Sequence, residues 1–321
     1  MKIAFAGFRH GHIFSLYESA LKECDVEIVG CFESDEETKS AVESDHGVRF
    51  NYSSYDELLR GDCDVVAIGD YYGIRGEMVI KALRAGKHVI CDKPICTRLS
   101  EIDEIERLAK EKSLVVGCML TLRFMKCAAQ AKELIQNGEI GEVLNASFTG
   151  QHCLNYGKRP AWYFEDGKHC GTINDIAIHG VDVVRFVTAK NLTRVCYAET
   201  KNAFAKKEPH FKDTAHFVAE FDSMTLMADV SYSAPPFEGT LPTYWRFCFW
   251  GTEGMISFNY ADNEVHLYKE NEHIIKCEPT RTDYLGDLML EISGKPSLMT
   301  TEAVLRSQRQ TLEIQNIADM N

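Results

Sequence analysis

Nothing in this chain runs apolar for the ~20 residues that a bilayer crossing requires, so no membrane span is expected from it. Positive charge is also short: 35 Lys and Arg face 48 Asp and Glu, a formal net charge of −13. Nucleic-acid phosphates and anionic lipid surfaces repel such a chain, so neither is expected as a partner. There are twelve cysteines but no C-x-x-C pair, so neither a zinc ribbon nor a thioredoxin-type dithiol is supported. Cys31, Cys91, Cys118 and Cys248 lie within apolar strand patterns, where cysteine acts as a small hydrophobe. No basic leader or cleavage site precedes the strand pattern Lys2-Ile3-Ala4-Phe5-Ala6. Repeats and low-complexity tracts are missing as well. These absences lead us to expect a reduced, cytoplasmic protein.

The composition that remains is ordinary for a globular chain. It has 321 residues, 45% hydrophobic and 26% charged, enough for a large core in one or two domains. Residues 2–6 read as a short buried strand, followed by Gly7-Phe8-Arg9-His10-Gly11-His12 and a helical stretch to about residue 24. Strand, glycine turn and helix form the setting in which helix N–H groups hold a pyrophosphate. The spacing departs from G-x-G-x-x-G, with Arg9 and His12 at the second and third glycine positions and Gly11 displaced. Arg9 is either an added charge for a phosphate or a solvated side chain. The strand 26–32 ends at Glu33, close to the ~20-residue spacing at which an acid accepts from a ribose diol. A carboxylate there repels a 2′-phosphate, which favours NAD over NADP. The plainer alternative is an acidic first turn for the helix that follows.

Residues 64–69 form another buried strand, with Asp70-Tyr71-Tyr72 at its end, where the adenosine half of a dinucleotide would lie. Helices are expected at about 75–85 and 100–112, the second capped by Ser100 with Asp103 three residues on. Between them, His88-Val89-Ile90-Cys91-Asp92-Lys93-Pro94 brings an apolar strand to an abrupt stop. Pro94 cannot donate to a ladder and disfavours helical geometry at Lys93. The lysine is thereby placed at a strand's carboxyl end, the edge where open α/β sheets bind ligands. A last strand follows at 114–118. Six strands alternating with helices over about 120 residues predict a doubly wound parallel Rossmann sheet.

Beyond residue 122 the pattern changes. Residues 143–151 alternate, with Leu144, Ala146 and Phe148 on one face. Similar alternation at 217–221, 226–230 and 245–249 predicts an α+β domain built on a large, mostly antiparallel open sheet, whose free face is a candidate oligomer surface. A buried helix over 174–188 would place Asp175, His179 and Asp182 on a single stripe. Ionisable groups there are costly unless paired or used. Three readings stay open: a cap and a core histidine, a catalytic set, or two ligands of a metal site that lacks an obvious third. We take no metal as the expectation, and read His10 and His12 as part of the glycine turn. A helix at about 300–319 would clasp the two domains, 1–122 and 123–321.

The order of these features resembles the Gfo/Idh/MocA oxidoreductases over nearly the whole chain. Three segments carry the likeness: Ala85-Gly86-Lys87-His88-Val89-Ile90-Cys91-Asp92-Lys93-Pro94, Gly138-Glu139-Ile140-Gly141-Glu142-Val143, and Gly171-Thr172-Ile173-Asn174-Asp175 through His179 to Asp182. Asp92 stands where glutamate is usual, the glycine turn is atypical, Asp70-Tyr71-Tyr72 replaces a small-residue–proline turn, and Arg75 replaces a common histidine. The resemblance implies that Lys93, Asp175 and His179 match the catalytic lysine, aspartate and histidine. It also implies NAD (NADP being less favoured) seated by Gly7, Phe8, Arg9, His10, Gly11, His12, Glu33, Asp70, Tyr71, Asp92 and Lys93.

Arg123, His152, Tyr156, Arg159 and Trp162 would then wall a pocket for a sugar or polyol, together with Asp175 and His179. The implied reaction is hydride transfer at a carbinol carbon. His179 would take the hydroxyl proton, as an imidazole of ordinary pKa ~6.5 can. Lys93 would stabilise the alkoxide, and Asp175 would orient substrate hydroxyls or the imidazole. NAD-dependent glycoside hydrolysis by transient oxidation, or a sensing protein without turnover, are the alternatives. A homodimer or homotetramer through the open sheet is expected.

Overall fold

The computed structural model describes residues 1–279 and 282–321. The chain forms two compact units. The first comprises Met1–Met119, Gly167–Cys170 and Tyr284–Gln308; the second comprises Leu120–Asp166, Gly171–Asp283 and Arg309–Asn321.

In the first unit β1 (Lys2–Ala6), β2 (Glu27–Phe32), β3 (Val65–Ile68), β4 (His88–Cys91) and β5 (Val116–Cys118) form a parallel sheet in the order β2-β1-β3-β4-β5. They alternate with α1 (His12–Lys22), α2 (Glu36–His46), α3 (Tyr55–Arg60), α4 (Tyr72–Arg84) and α5 (Leu99–Lys112). Strands β3 and β4 are buried almost throughout, as apolar strands covered on both faces must be. The described sheet has five strands, not the expected six. The segment after Gly47 meets the β2 edge at Asn51 and Tyr52, whose N–H groups both donate to the Cys31 carbonyl (3.2 and 3.3 Å), while Asn51 Oδ1 accepts from Cys31 N (2.9 Å). A side chain has taken one partner of the would-be ladder. The start of α5 is also corrected: Arg98, not Ser100, is its cap, because the Glu101 carboxylate accepts the Thr97 and Arg98 N–H groups (both 3.1 Å).

In the second unit eight strands run in the order β13-β12-β11-β10-β6-β9-β8-β7. They are β6 (Val143–Gln151), β7 (Leu192–Lys201), β8 (Thr214–Phe221), β9 (Met224–Ser231), β10 (Arg246–Gly251), β11 (Met255–Phe258), β12 (Glu264–Tyr268) and β13 (Glu272–Lys276). All neighbours are antiparallel except β6 and β9, which pair parallel, so the sheet is mostly antiparallel as expected. Leu144 is exposed rather than buried: the register slips between Trp250 and Gly251 opposite it, and Val143 takes the inward place. Helix α6 (Lys126–Gln136) packs on α7 (Ile178–Thr188), and α7 packs on the face lined by Phe148, Phe217 and Phe247. Helix α8 (Tyr284–Ile292) lies on β5 in the first unit. The last helix, α9 (Thr301–Met320), gives its first eight residues to the first unit and the rest to the second.

At Gly180 the α7–β6 contact leaves no room for a methyl group, since a Cβ there would lie 2.2 Å from the Phe148 ring. Gly180→Ala is therefore expected to destabilise the protein by about 1–3 kcal/mol through overpacking, measured by urea denaturation. A change within error would show that the ring yields freely.

Candidate active site

The carboxyl ends of β1 to β4 bring most of the expected dinucleotide residues together. Gly7 adopts φ +82°, and a Cβ there would lie 2.6 Å from the Asp70 Cβ. Only glycine lets the first turn pass so close to the end of β3. Glu33 is buried, and its carboxylate accepts the Phe8 N–H (2.7 Å) and the Asp35 N–H (2.9 Å). The expected ribose acid thus serves first as the fastening of the glycine turn. Arg9 lies between Glu33 (3.5 Å), Asp70 (3.4 Å) and Asp35 (3.6 Å), with its guanidinium over the Tyr71 ring. It is therefore paired rather than freely solvated. Gly11 leads into the N-terminus of α1, and the space where its Cβ would be is open. A pyrophosphate fits such a terminus.

A second knot of residues surrounds Asp92, which is fully buried. Its carboxylate meets His10 Nδ1, His12 Nδ1 (3.2 Å) and Arg75 Nη2 (2.9 Å). The Tyr72 hydroxyl is 3.0 Å from His10 Nε2. Arg75 also donates through Nε to the Asp70 carbonyl (2.7 Å) and through Nη1 to the carbonyls of Lys93 (2.6 Å) and Asp92 (3.1 Å). Lys93 is itself buried, and its peptide bond to Pro94 is cis. Burial pushes His10 down to about 4, so it is neutral at pH 7. Burial opposes ionisation of Asp92, but His10, Arg75 and His12 outweigh it and hold the carboxyl well below its usual range. We place the charges of this knot on Asp92 and Arg75. The sequence reading marked Tyr72 and Arg75 only as departures from a pattern; the structure makes them its fixed points.

In the second unit the expected helix begins differently. Residues Ile173–Ala177 form a π turn, and α7 starts only at Ile178. Gln315 of α9 fixes the start of the turn, its Oε1 accepting the Ile173 and Asn174 N–H groups (3.0 and 3.1 Å). Gly171 is required there: φ is +83°, and a Cβ would lie 2.4 Å from the Gln315 amide. Asp175 is buried and accepts hydrogen bonds from the Tyr163 hydroxyl (2.5 Å) and the Tyr232 hydroxyl. Burial, then the charge of Asp175, raises Tyr163 well above its ordinary range, so its hydroxyl keeps the proton it donates. Arg159 stacks over Tyr163 (4.4 Å).

His179, in the first turn of α7, meets the Trp245 ring edge-on at 5.7 Å, and His152 meets the same indole at 5.5 Å. Tyr163, Tyr232 and Trp245 were not named from sequence. The signal available was a Tyr at the end of an inward-facing alternation, at 226, 228, 230 and 232. Arg123, expected at a pocket wall, is instead buried, its guanidinium on the Asp182 carboxylate (Nε 3.0 Å) and over Phe186. Asp182 on a buried helix needs that counter-charge. Tyr156 is exposed, and its hydroxyl donates to Glu208 (2.9 Å); Trp162 is buried against Tyr163.

Residues 1–119 match the family described as an oxidoreductase family with an NAD-binding Rossmann fold, and residues 128–257 match the GFO/IDH/MocA C-terminal domain. The chain belongs to the GFO/IDH/MocA oxidoreductase family. An uncharacterized oxidoreductase of Schizosaccharomyces pombe is 27% identical over 243 residues, 74% of this chain and 65% of its own length. A Bacillus subtilis relative named scyllo-inositol 2-dehydrogenase (NAD(+)) is 30% identical over 149 residues, 46% of this chain and 42% of its own length. The matched segments thus span 65% and 42% of these relatives' lengths. A crystal structure of an oxidoreductase from Erwinia carotovora atroseptica shares the fold, with a TM-score of 0.87, 24% identity, and 99% of this chain and 98% of that one covered. Among the described residues no helix is long and apolar enough to cross a membrane.

Asp70 gives this region a pH signature. Burial, then the charge of Glu33, raises its carboxyl to about 6. The folded protein therefore holds this proton more tightly than the unfolded chain, whose Asp titrates near ~3.9. The resulting stabilisation is complete below the unfolded value and is lost as pH rises through about 6. Denaturation of wild type and Asp70→Asn across that window should show wild type losing about 3 kcal/mol relative to the variant. Parallel curves would refute the assignment.

Proposed function

We propose that the protein is an NAD(H)-dependent oxidoreductase acting on a CH–OH group of a sugar, inositol or related polyhydroxy compound. The observation that carries this reading is the anchored carboxylate Asp175, held by two tyrosines one turn before His179, in a chain that also carries Lys93 at the end of a Rossmann strand. Nicotinamide, when bound, supplies or accepts the hydride. His179 accepts the proton of the reacting hydroxyl, since hydride can leave the carbinol carbon only as that oxygen loses its proton. A base of this kind contributes ~10²–10⁴ in rate. Lys93 supplies positive charge to the developing alkoxide, and desolvation strengthens that interaction. Asp175 contributes a fixed negative charge and the hydrogen bonds of the two tyrosines. The inositol relative supports the substrate class, and His152, Tyr156 and Arg159 suit hydroxyl-rich substrates.

We also propose a cytoplasmic homodimer or homotetramer formed through the open face of the eight-stranded sheet. The strand register places Tyr197, Met227, Trp250, Tyr268 and Ile274 on one face, and all five are exposed. Such a patch suits burial against a second copy. Met227→Glu should lower the mass measured by light scattering to that of a monomer; an unchanged mass would reject this face.

A screen of sugars, inositols and polyols with NAD and NADP, followed at the reduced-nicotinamide absorbance, tests the reaction class. With the best substrate, Lys93→Met should lower kcat by about 10²–10³ while NADH fluorescence titration stays near wild type. Equal turnover would remove the lysine from the mechanism.

A further inference from the structure

We propose that His10, His12 and Asp92 form a binding site for a divalent transition-metal ion of the zinc class. Ligand atoms of the three side chains all lie within 4.8 Å of one another. A tetrahedral ion bound ~2.0–2.2 Å from imidazole nitrogen and carboxylate oxygen places neighbouring ligand atoms roughly 3.3 Å apart. His12 Nδ1 and Asp92 Oδ1 are already 3.2 Å apart. The His10–Asp92 contact is tighter and would open by about an ångström as the ion replaces the shared proton.

The surroundings are those of a ligand set rather than of a chance cluster. His10 and Asp92 are buried, and the far nitrogen of His10 faces the Tyr72 hydroxyl at 3.0 Å. A hydrogen bond there is what sets the tautomer of a ligating imidazole. Arg75 Nη2 holds Asp92 Oδ2 at 2.9 Å and so fixes the carboxylate plane. His12 is exposed, which leaves one side of the site open to water or an anionic oxygen as the remaining ligand.

The donor chemistry narrows the ion. Arg75 already offsets the single carboxylate, so binding must come from the two imidazoles. Mg²⁺ and Ca²⁺, which want oxygen cages, are poorly served; Zn²⁺ and Co²⁺ suit two nitrogens and one oxygen. The site stands independently of the hydride-transfer reading, because its test reads bound metal and not turnover.

The probes are ZnCl₂ and CoCl₂ added to the chelator-treated, full-length chain. Cys24 and Cys196, the exposed cysteines, are replaced by Ser to remove adventitious thiol sites. The expected result is one tightly held zinc per chain by elemental analysis, with a tetrahedral Co²⁺ absorption band that zinc abolishes and Mg²⁺ does not. His12→Ala and Asp92→Asn should each weaken Co²⁺ binding beyond the ~10–100-fold typical of outer-shell partners. His12→Ala, at an exposed position, should keep the metal-free melting temperature of the parent. If the parent retains no zinc, or if both variants take up Co²⁺ as the parent does, the cluster is only a hydrogen-bonded tie between the glycine turn and β4, and the proposal fails.

Discussion

The buried carboxylate of Asp92 is the interaction around which the first unit is set. Three elements converge on it: the glycine turn through His10 and His12, α4 through Arg75, and β4 through its own backbone. An unpaired carboxylate at that depth would be intolerable, so the buried Arg75 and His10 are obligatory partners, whereas the exposed His12 adds little. Arg75 carries the constraint onward, because the guanidinium that neutralises Asp92 also donates to the Lys93 and Asp70 carbonyls. The positions of Lys93 and of the β3 end are therefore tied to a single ion pair. The glycine turn is held from its other side by Glu33, which accepts the Phe8 N–H.

The second unit solves a similar problem with tyrosine hydroxyls. Asp175 is buried and satisfied by two tyrosine hydroxyls, with Arg159 stacked outside them. Asp182, further along the same helix, is instead neutralised outright by Arg123. Two aspartates seven residues apart are thus met by different groups, tyrosine hydroxyls at one and a guanidinium at the other.

Much of this was legible in the residues. The parallel and mostly antiparallel sheets followed from runs and alternations of apolar side chains, and the end of β4 followed from Pro94 halting a buried strand. What escaped had local physical causes. Leu144 looked inward by alternation, but it is itself the extra residue of a bulge in β6, which turned it out. Ser100 looked like a cap, but Glu101 could reach back to two N–H groups one turn earlier. Arg123 looked like a pocket residue because nothing in a linear pattern pairs it with a helix some sixty residues on. Tyr163, Tyr232 and Trp245 escaped because aromatic side chains in apolar patterns read as core; only the fold shows which hydroxyls face a carboxylate.

The π turn before α7 has one more consequence. Its wider winding changes the angle at which Asp175 and His179 leave the helix axis relative to a regular helix. Gln315 holds the backbone just ahead of Asp175 and the tyrosines hold its carboxylate, whereas His179 meets the Trp245 ring edge-on. Carboxylate and imidazole thus take their bearings from separate neighbours although they share one continuous coil.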